Sequence, residues 1–444
     1  MKHSPIRFAF PLAALACSTL FCQSASAQNL STLYELARSY DATYQSAKSQ
    51  YDANLAKAEQ AQAGVYPTAN LNAGISRTNF ELSNPKSERT FTSQTAGVSA
   101  NQPLYRPANW ATYEQGKKQV DLAQATLNSA EQDVIVRLSQ AYFDVLASQD
   151  SLAFVKAQKV AVAEQLASAK RNFEVGTSTI TDTREAQARF DLVIAQEIAA
   201  ENDLRVKKLA LDTLVGKSNT EPRPVALPLV LPALLPSDVN QWVTQSEETH
   251  PSIKSAQAAL EVAKLETAKA EAGHKPTLDA TLGYNINRSP NGSSTSGLSS
   301  RSDSASVGLV FNLPLFAGFA TQNRIKEALS LEDKARNDLE GAKRSVAQAT
   351  RTAYFGVVSG QGQVKALEAA ETSSQSALDA NKLGYQVGVR INIDVLNSQS
   401  QLFQTKRDLA KARYDVLVGG LKLRQANGTL KPEDIAAVNA ILAK

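Results

Sequence analysis

Thiols, imidazoles and aromatic rings are scarce in this sequence. Two cysteines occur in 444 residues, at 17 and 22, and three histidines, at 3, 250 and 274. Both cysteines fall in a leader segment, so the exported chain carries no thiol. That excludes disulfides, cysteine nucleophiles and Cys/His zinc clusters. Aromatics make up 6% of the chain, poor material for a thick globular core, while alanine is abundant. Such a composition suits long helices packed closely through small side chains. Charge of one sign is lacking too: 47 Lys+Arg against 43 Asp+Glu gives +4, and removing Lys2 and Arg7 with the leader leaves +2. That balance offers no electrostatic footprint for nucleic acid. Beyond the leader no run of about 18 apolar residues exists, so no membrane-spanning helix is expected. Leu227–Pro236 is apolar but holds three prolines. No catalytic constellation is present either. Glu247-Glu248-Thr249-His250 reads as a solvated helix end, and His274 sits at a helix-to-strand corner. The reading is therefore of a protein that is not an enzyme and needs no cofactor or metal.

Residues 1–27 read as a secretory signal. Lys2 and Arg7 form the basic end, Phe8–Phe21 is largely apolar, and Ala25-Ser26-Ala27 is an A-x-A cleavage site. The mature chain would begin at Gln28. Acylation at Cys17 is the lesser reading, because Leu15 is misplaced for a lipobox.

The rest is a duplication. Ala141-Tyr142-Phe143 recurs as Ala353-Tyr354-Phe355, Gly176 as Gly388, Asp182 as Asp394 and Gly216 as Gly428, each 212 positions on. Asn101–Tyr105 recurs as Asn312–Phe316 at an offset of 211, and Ala63-Gly64 as Ala272-Gly273 at 209. The expected organisation is a first repeat over 28–216, a Pro-rich linker over 217–237, a second repeat over 238–428 and a C-terminal segment over 429–444.

Each repeat reads helix, strand, strand, long helix, turn, helix. Leu30–Ala63 has an apolar seam with spacings that alternate three and four, and Tyr66-Pro67 stops it. Strands are expected at 68–82 and 90–104, and again at 277–287 and 303–315. The second pair alternates strictly: Leu278, Ala280, Leu282, Tyr284 and Ile286 against Asp279, Thr281, Gly283, Asn285 and Asn287. Alternation of this kind fits a transmembrane barrel with a wet lumen or a half-exposed soluble hairpin equally well. Between residues 108 and 174 one seam runs from Val120 through Leu138, Val155 and Leu166 to Phe173, with Ser148 and Lys159 as polar interruptions. That stretch makes a helix of about 100 Å at 1.5 Å per residue. A second is expected over 319–386. Shorter helices over 182–215 and 394–427 follow. Two short rods end to end match one long rod, which suggests a cylinder wall that alternates them. Four strands cannot close a barrel in lipid, where open edges are not tolerated, but three chains would supply twelve.

Local chemistry marks the turns. Gly176 and Gly388 read as left-handed glycines that end the long helices. Asp182 with Glu185 reads as a capping box, and Asp394 can cap its helix likewise.

Together these features resemble the TolC family of outer-membrane channel proteins. The most specific stretches are Phe173–Gly176 with Thr181-Asp182, and Gly384–Gly388 with Arg390–Leu396. The strand-to-helix corners Gln102–Tyr105 and Leu313–Phe316 also look like the family's. The resemblance implies a mixed, mainly α fold: a homotrimer with a shared 12-stranded transmembrane barrel and an α-helical coiled-coil tunnel reaching into the periplasm. It implies an exit duct of a tripartite efflux pump or a type I secretion system. The partners implied are outer-membrane lipids, a periplasmic adaptor and an inner-membrane transporter of RND, ABC or MFS type. Trp110, just past the strand-to-helix corner, fits a place near the membrane interface, where Trp is enriched, or a plain packing role equally well. Asp394 would form an acidic ring at the constriction, while Asn397 stands where relatives often carry a second acid. Arg390 would pair with Asp182 and Thr181, and Tyr385 would hydrogen-bond Asp182, as gate latches. Gly176 and Gly388 would mark the tips where the adaptor docks. The competing reading is an exported trimeric coiled-coil adhesin or scaffold, which leaves two matched strand pairs unexplained.

Overall fold

A computed structural model describes residues 28–226, 229 and 231–442. The leader, with Cys17, Cys22 and the expected cleavage site, lies outside the described residues. Each repeat follows one plan. In the first, α1 (Leu30–Tyr40) and α2 (Ala42–Gln62) lead into β1 (Thr68–Ser83) and β2 (Lys86–Tyr105), then α3 (Pro107–Glu174) and α4 (Ile180–Val215). In the second, α5 (Val239–Thr249) and α6 (Pro251–Glu271) precede β3 (Thr277–Ser289) and β4 (Ser300–Asn312), then α7 (Ala320–Gln386) and α8 (Asn392–Asn427). A short α9 (Glu433–Asn439) follows. No described helix is long and apolar enough to cross a membrane.

Several elements depart from expectation. The single helix expected over 30–63 is broken at Asp41, whose backbone is extended (φ −61°, ψ 114°). Its carboxylate accepts the Tyr44 N–H at 2.9 Å, capping α2, and pairs with Arg137 at 2.9 Å. The second repeat breaks at the matching place, where Pro251 follows His250 and the His250 ring accepts the Ser252 N–H at 3.1 Å. His250 is thus a cap between two helices, not a solvated end. The strand expected over 303–315 runs instead from Ser300 to Asn312. Pro314 lacks an N–H, and Gly318 and Phe319 turn the chain with φ of 57° and 63°. β2 begins at Lys86 rather than 90 because the hairpin closes tightly, Ser83 facing Lys86.

The four strands form one antiparallel sheet in the order β1-β2-β3-β4. The register stacks like with like. Leu71 faces Val98, which faces Tyr284, which faces Ala305; Ala69, Ala100, Leu282 and Val307 make the next row. The other face carries Asn72, Gly97, Asn285 and Ser304, then Asn70, Ser99, Gly283 and Ser306. One face is thus apolar and the other polar. Leu71 is 79% and Val307 84% exposed, so the apolar face is uncovered in the single chain. Gly97 makes room for the Asn285 side chain on the polar face; a Cβ there would force the Asn285 amide to turn aside. At the base of the sheet Arg106 grips the buried Asp279 with two hydrogen bonds, of 2.8 and 2.5 Å.

Below the sheet α3 packs against α2 and α6 along one half and against α4 and α8 along the other. Lys156–Glu201 (3.2 Å), Lys159–Glu197 (2.6 Å) and Lys207–Asp144 (3.0 Å) flank the α3–α4 seam. Lys159, a break in the apolar seam, is therefore answered by an acid. The largest core lies midway along α3, where Leu33, Tyr34, Ile135, Tyr142, Phe143, Leu417, Leu421 and Ile435 are buried together. Full burial of side chains this size stabilises by about 1.5–3 kcal/mol each. The repeated Ala-Tyr-Phe motif anchors the linker: the Tyr142 hydroxyl donates to the Arg223 carbonyl at 2.9 Å, and the Tyr354 hydroxyl donates to the Ser237 carbonyl.

Candidate functional site at the helical tips

The two turns at the far end of the molecule share one backbone solution. In α3 the Thr177 N–H donates to the Asn172 carbonyl (2.8 Å) and the Gly176 N–H to the Phe173 carbonyl (3.0 Å). In α7 the Val389 N–H donates to Gly384 (2.9 Å) and the Gly388 N–H to Tyr385 (3.2 Å). Both are Schellman motifs, which need a left-handed residue, and Gly176 and Gly388 have φ of 79° and 80°.

The return helices start earlier than expected, and the caps differ accordingly. α4 begins at Ile180, with Thr179 as its N-cap. Asp182 is the last residue of that capping box, not its first: it accepts from the Thr179 N–H (3.0 Å), the Thr179 hydroxyl (2.8 Å) and the Ser178 hydroxyl (2.7 Å). Burial works to raise the Asp182 carboxyl, but the Ser178 and Thr179 hydrogen bonds outweigh it and hold it below the usual range. α8 begins at Asn392 with Ile391 at the cap position, so Asp394 sits in the first turn rather than at the cap. There its carboxylate complements the positive end of the helix.

The expected latch contacts are not made within one protomer. Arg390 Nη1 lies 3.6 Å from Asp394, one turn on, instead of reaching Asp182 or Thr181. The Tyr385 hydroxyl accepts from Asn172 Nδ2 at 3.1 Å instead of bonding Asp182. The Asp182 carboxylate is taken up by its own turn, and Thr181 is exposed on the first turn of α4. Gly384 has a further role, because a Cβ there would lie 2.6 Å from Arg390 Cγ. Its bare backbone is the surface on which the Arg390 side chain rests.

Other residues suture the two turns. Asn392 is buried; it accepts the Gln165 amide and donates to the Asp182 carbonyl at 3.4 Å. Arg189 donates to Asn397 at 2.8 Å. Asn172, Gln165, Asn392 and Arg189 escaped the sequence reading. A signal for two of them lay in the repeat: Asn392 stands opposite Ile180 and Asn172 opposite Gly384, 212 positions apart in each case.

Comparison with known proteins bears on both ends of the molecule. The chain matches the family described as Outer membrane efflux protein over residues 20–217 and 242–429. It is 31% identical over 414 residues to Outer membrane protein TolC of Vibrio cholerae, spanning 93% of this chain and 94% of that one. It is 29% identical to the Alkaline protease secretion protein AprF of Pseudomonas aeruginosa, spanning 95% and 89%. The crystal structure of the outer membrane protein VceC of Vibrio cholerae superposes with a TM-score of 0.77 at 19% identity, covering 90% of this chain and 96% of that one.

Proposed function

The chain belongs to the outer membrane efflux protein family, and from that premise we propose that three copies close into one passage whose tips gate and dock. The protein is an outer-membrane exit duct for efflux and type I secretion, its tunnel extending into the periplasm. One observation carries the assembly. Among the described residues β1 pairs only with β2 and β4 only with β3, so both edges of the sheet are open while one face is apolar and uncovered. Unpaired backbone groups are not tolerated in lipid. Pairing β4 of one copy with β1 of the next satisfies both edges, and three copies give twelve strands with the polar face lining the lumen.

At the other end Asp394 supplies a ring of three carboxylates, which favours cations. Asn397 adds no charge, so the ring is single. Arg390 is 58% exposed and its pairing with Asp394 is loose, leaving its guanidinium free to reach Asp182 and Thr181 of the neighbouring copy. Tyr385, fixed on Asn172, holds the two turns together from within. Gly176 and Gly388 shape the blunt tips that meet a periplasmic adaptor, and an inner-membrane transporter of RND, ABC or MFS type supplies the cargo. The duct does no chemistry on what passes. Purified protein in a planar bilayer should conduct as a trimer, and Arg390→Ala should raise its unit conductance. A protein that forms trimers but never conducts would be the adhesin or scaffold instead.

A further inference from the structure

Pro224, Val225 and Leu229 of the linker border the face of α8 that carries Leu409, Ala410 and Arg413, and Leu231 packs beside Leu409; a connection laid on that face puts it outside the passage. Exposed residues of α8 at 397, 401, 404, 408, 411 and 415 form a strip opposite it. Asp394 is in phase with this strip, so the strip faces the tunnel if Asp394 does. A groove of about 400 Å³ opens along it between α3, α4 and α8. Gln158, Arg189, Gln196, Asn397, Gln404 and Arg407 line it, and no carboxylate does.

Its two guanidiniums are held by amides alone. Arg407 donates to Gln158 at 3.0 Å and to Gln404 at 2.7 Å, and Arg189 donates to Asn397 at 2.8 Å. Asp408, next to Arg407, accepts the Gln404 amide at 2.8 Å and forms no ion pair with the arginine. Burial pushes Arg407 below the ordinary arginine value, against the pull of Asp408, as expected for a cation lacking a paired anion. A guanidinium nevertheless stays charged. The Gln196 side-chain oxygen is buried in the same wall without a partner, so an amide there can turn its N–H groups to an incoming acceptor.

The geometry points to this groove as a luminal binding site for polyvalent anions, with Arg189 and Arg407 as the binding cations. It rests on the reading that Asp394 faces the lumen. Asn397 and Arg407 are separated by about 15 Å along α8, so the site suits an extended polyanion of phosphate, sulfate or carboxylate type. The order along the tunnel follows: an acidic ring at the tip, then a cationic belt above it. An anion arriving from the barrel side meets the belt first, whereas one arriving from the tip must pass the Asp394 ring.

Single-channel recording with inorganic tripolyphosphate tests this. Added on the barrel side, it should block the wild-type channel, and more strongly than from the tip side. In Arg189→Gln/Arg407→Gln the half-blocking concentration should rise roughly tenfold or more, the loss expected for charged hydrogen bonds. Arg189→Lys/Arg407→Lys should retain most of the block. Unit conductance in KCl alone shows that each variant has assembled. Asp394→Asn, probed with hexamminecobalt(III), reports on the face itself. If it does not relieve block by that cation, Asp394 is not luminal and the inference falls with that reading. If it does, yet tripolyphosphate blocks wild type and the Gln double variant alike, or neither, the groove binds no anion and the inference alone is overturned.

Discussion

Replacing Gly384 by Ala tests how the tip holds Arg390. The added methyl would lie 2.6 Å from Arg390 Cγ and 3.3 Å from its Cβ. Carbon atoms rest at about 3.5–4.0 Å, so the arginine stem must withdraw by about 1 Å. Its backbone cannot follow easily, because the Arg390 N–H is tied to the Gly384 carbonyl at 3.1 Å. The side chain gives way instead, at about 0.5–1.5 kcal/mol for an off-rotamer torsion. Alanine offsets this by up to about 1 kcal/mol, its advantage over glycine in a helix. The Arg390–Asp394 pair is exposed and worth about 0–1 kcal/mol. Stability should therefore change by less than about 1 kcal/mol per copy, while the guanidinium leaves its place in all three. Gly384→Ala should raise unit conductance, as Arg390→Ala should, with little change in trimer Tm. Gly388→Ala is the contrast: nothing stands near its Cβ, but a left-handed backbone costs a non-glycine residue about 1–2 kcal/mol. It should lower Tm more and conductance less. Conductance unchanged in Gly384→Ala but raised in Arg390→Ala would refute the supporting role of Gly384.

Three further outcomes follow from contacts elsewhere. Asp279 is buried and Arg106 half-exposed, so removing the arginine strands a charge whereas removing the acid does not: Arg106→Ala should cost about 2–3 kcal/mol and Asp279→Ala about 1, read as trimer dissociation on heating. Burial pushes the Asp150 carboxyl above its usual range, with the Tyr414 hydroxyl at 2.6 Å pulling back. Its folded state thus binds a proton more tightly than the unfolded chain, and stability falls as pH rises from about 4, the unfolded value, through the raised one. Asp150→Asn should match or exceed wild-type Tm at pH 7 and lose any advantage below that window; a lower Tm at pH 7 would contradict the assignment. Asn392→Ala should free Gln165 and the Asp182 carbonyl, seen as faster amide exchange confined to the tips.

The long rods were legible because their period is uninterrupted: from Val120 to Leu166 the seam residues are spaced for a coiled coil, and Val134, Leu138, Val145, Val155, Val162 and Leu166 are buried where that spacing puts them. The strands were legible through alternation, whose register then paired apolar rows across the whole sheet. Helix breaks and caps were harder. Nothing near Asp41 forbids a continuous helix; the break is chosen by Arg137, almost a hundred residues away, which holds the carboxylate in a capping position. The cap of α4 was misplaced by three residues because Thr179 and Asp182 are both good caps. The choice between them falls to the Schellman turn, which finishes at Ser178 and leaves Thr179 next in line.

The two repeats also differ where the proposed gate lies. At the tips both repeats fold their backbone alike, down to the left-handed glycines at 176 and 388. They differ in the side chains hung on it: Asn172 against Gly384, Ser178 against Arg390, Ile180 against Asn392. Each difference matters to a contact described above. Asn172 reaches Tyr385, the bare Gly384 seats Arg390, and Asn392 crosses to Gln165 and Asp182. A single turn duplicated without change would place identical groups at equivalent heights and leave nothing to bond across. Divergence at these three positions turns two copies of one structural turn into complementary halves, and complementarity is what the proposed latch between two helix pairs requires.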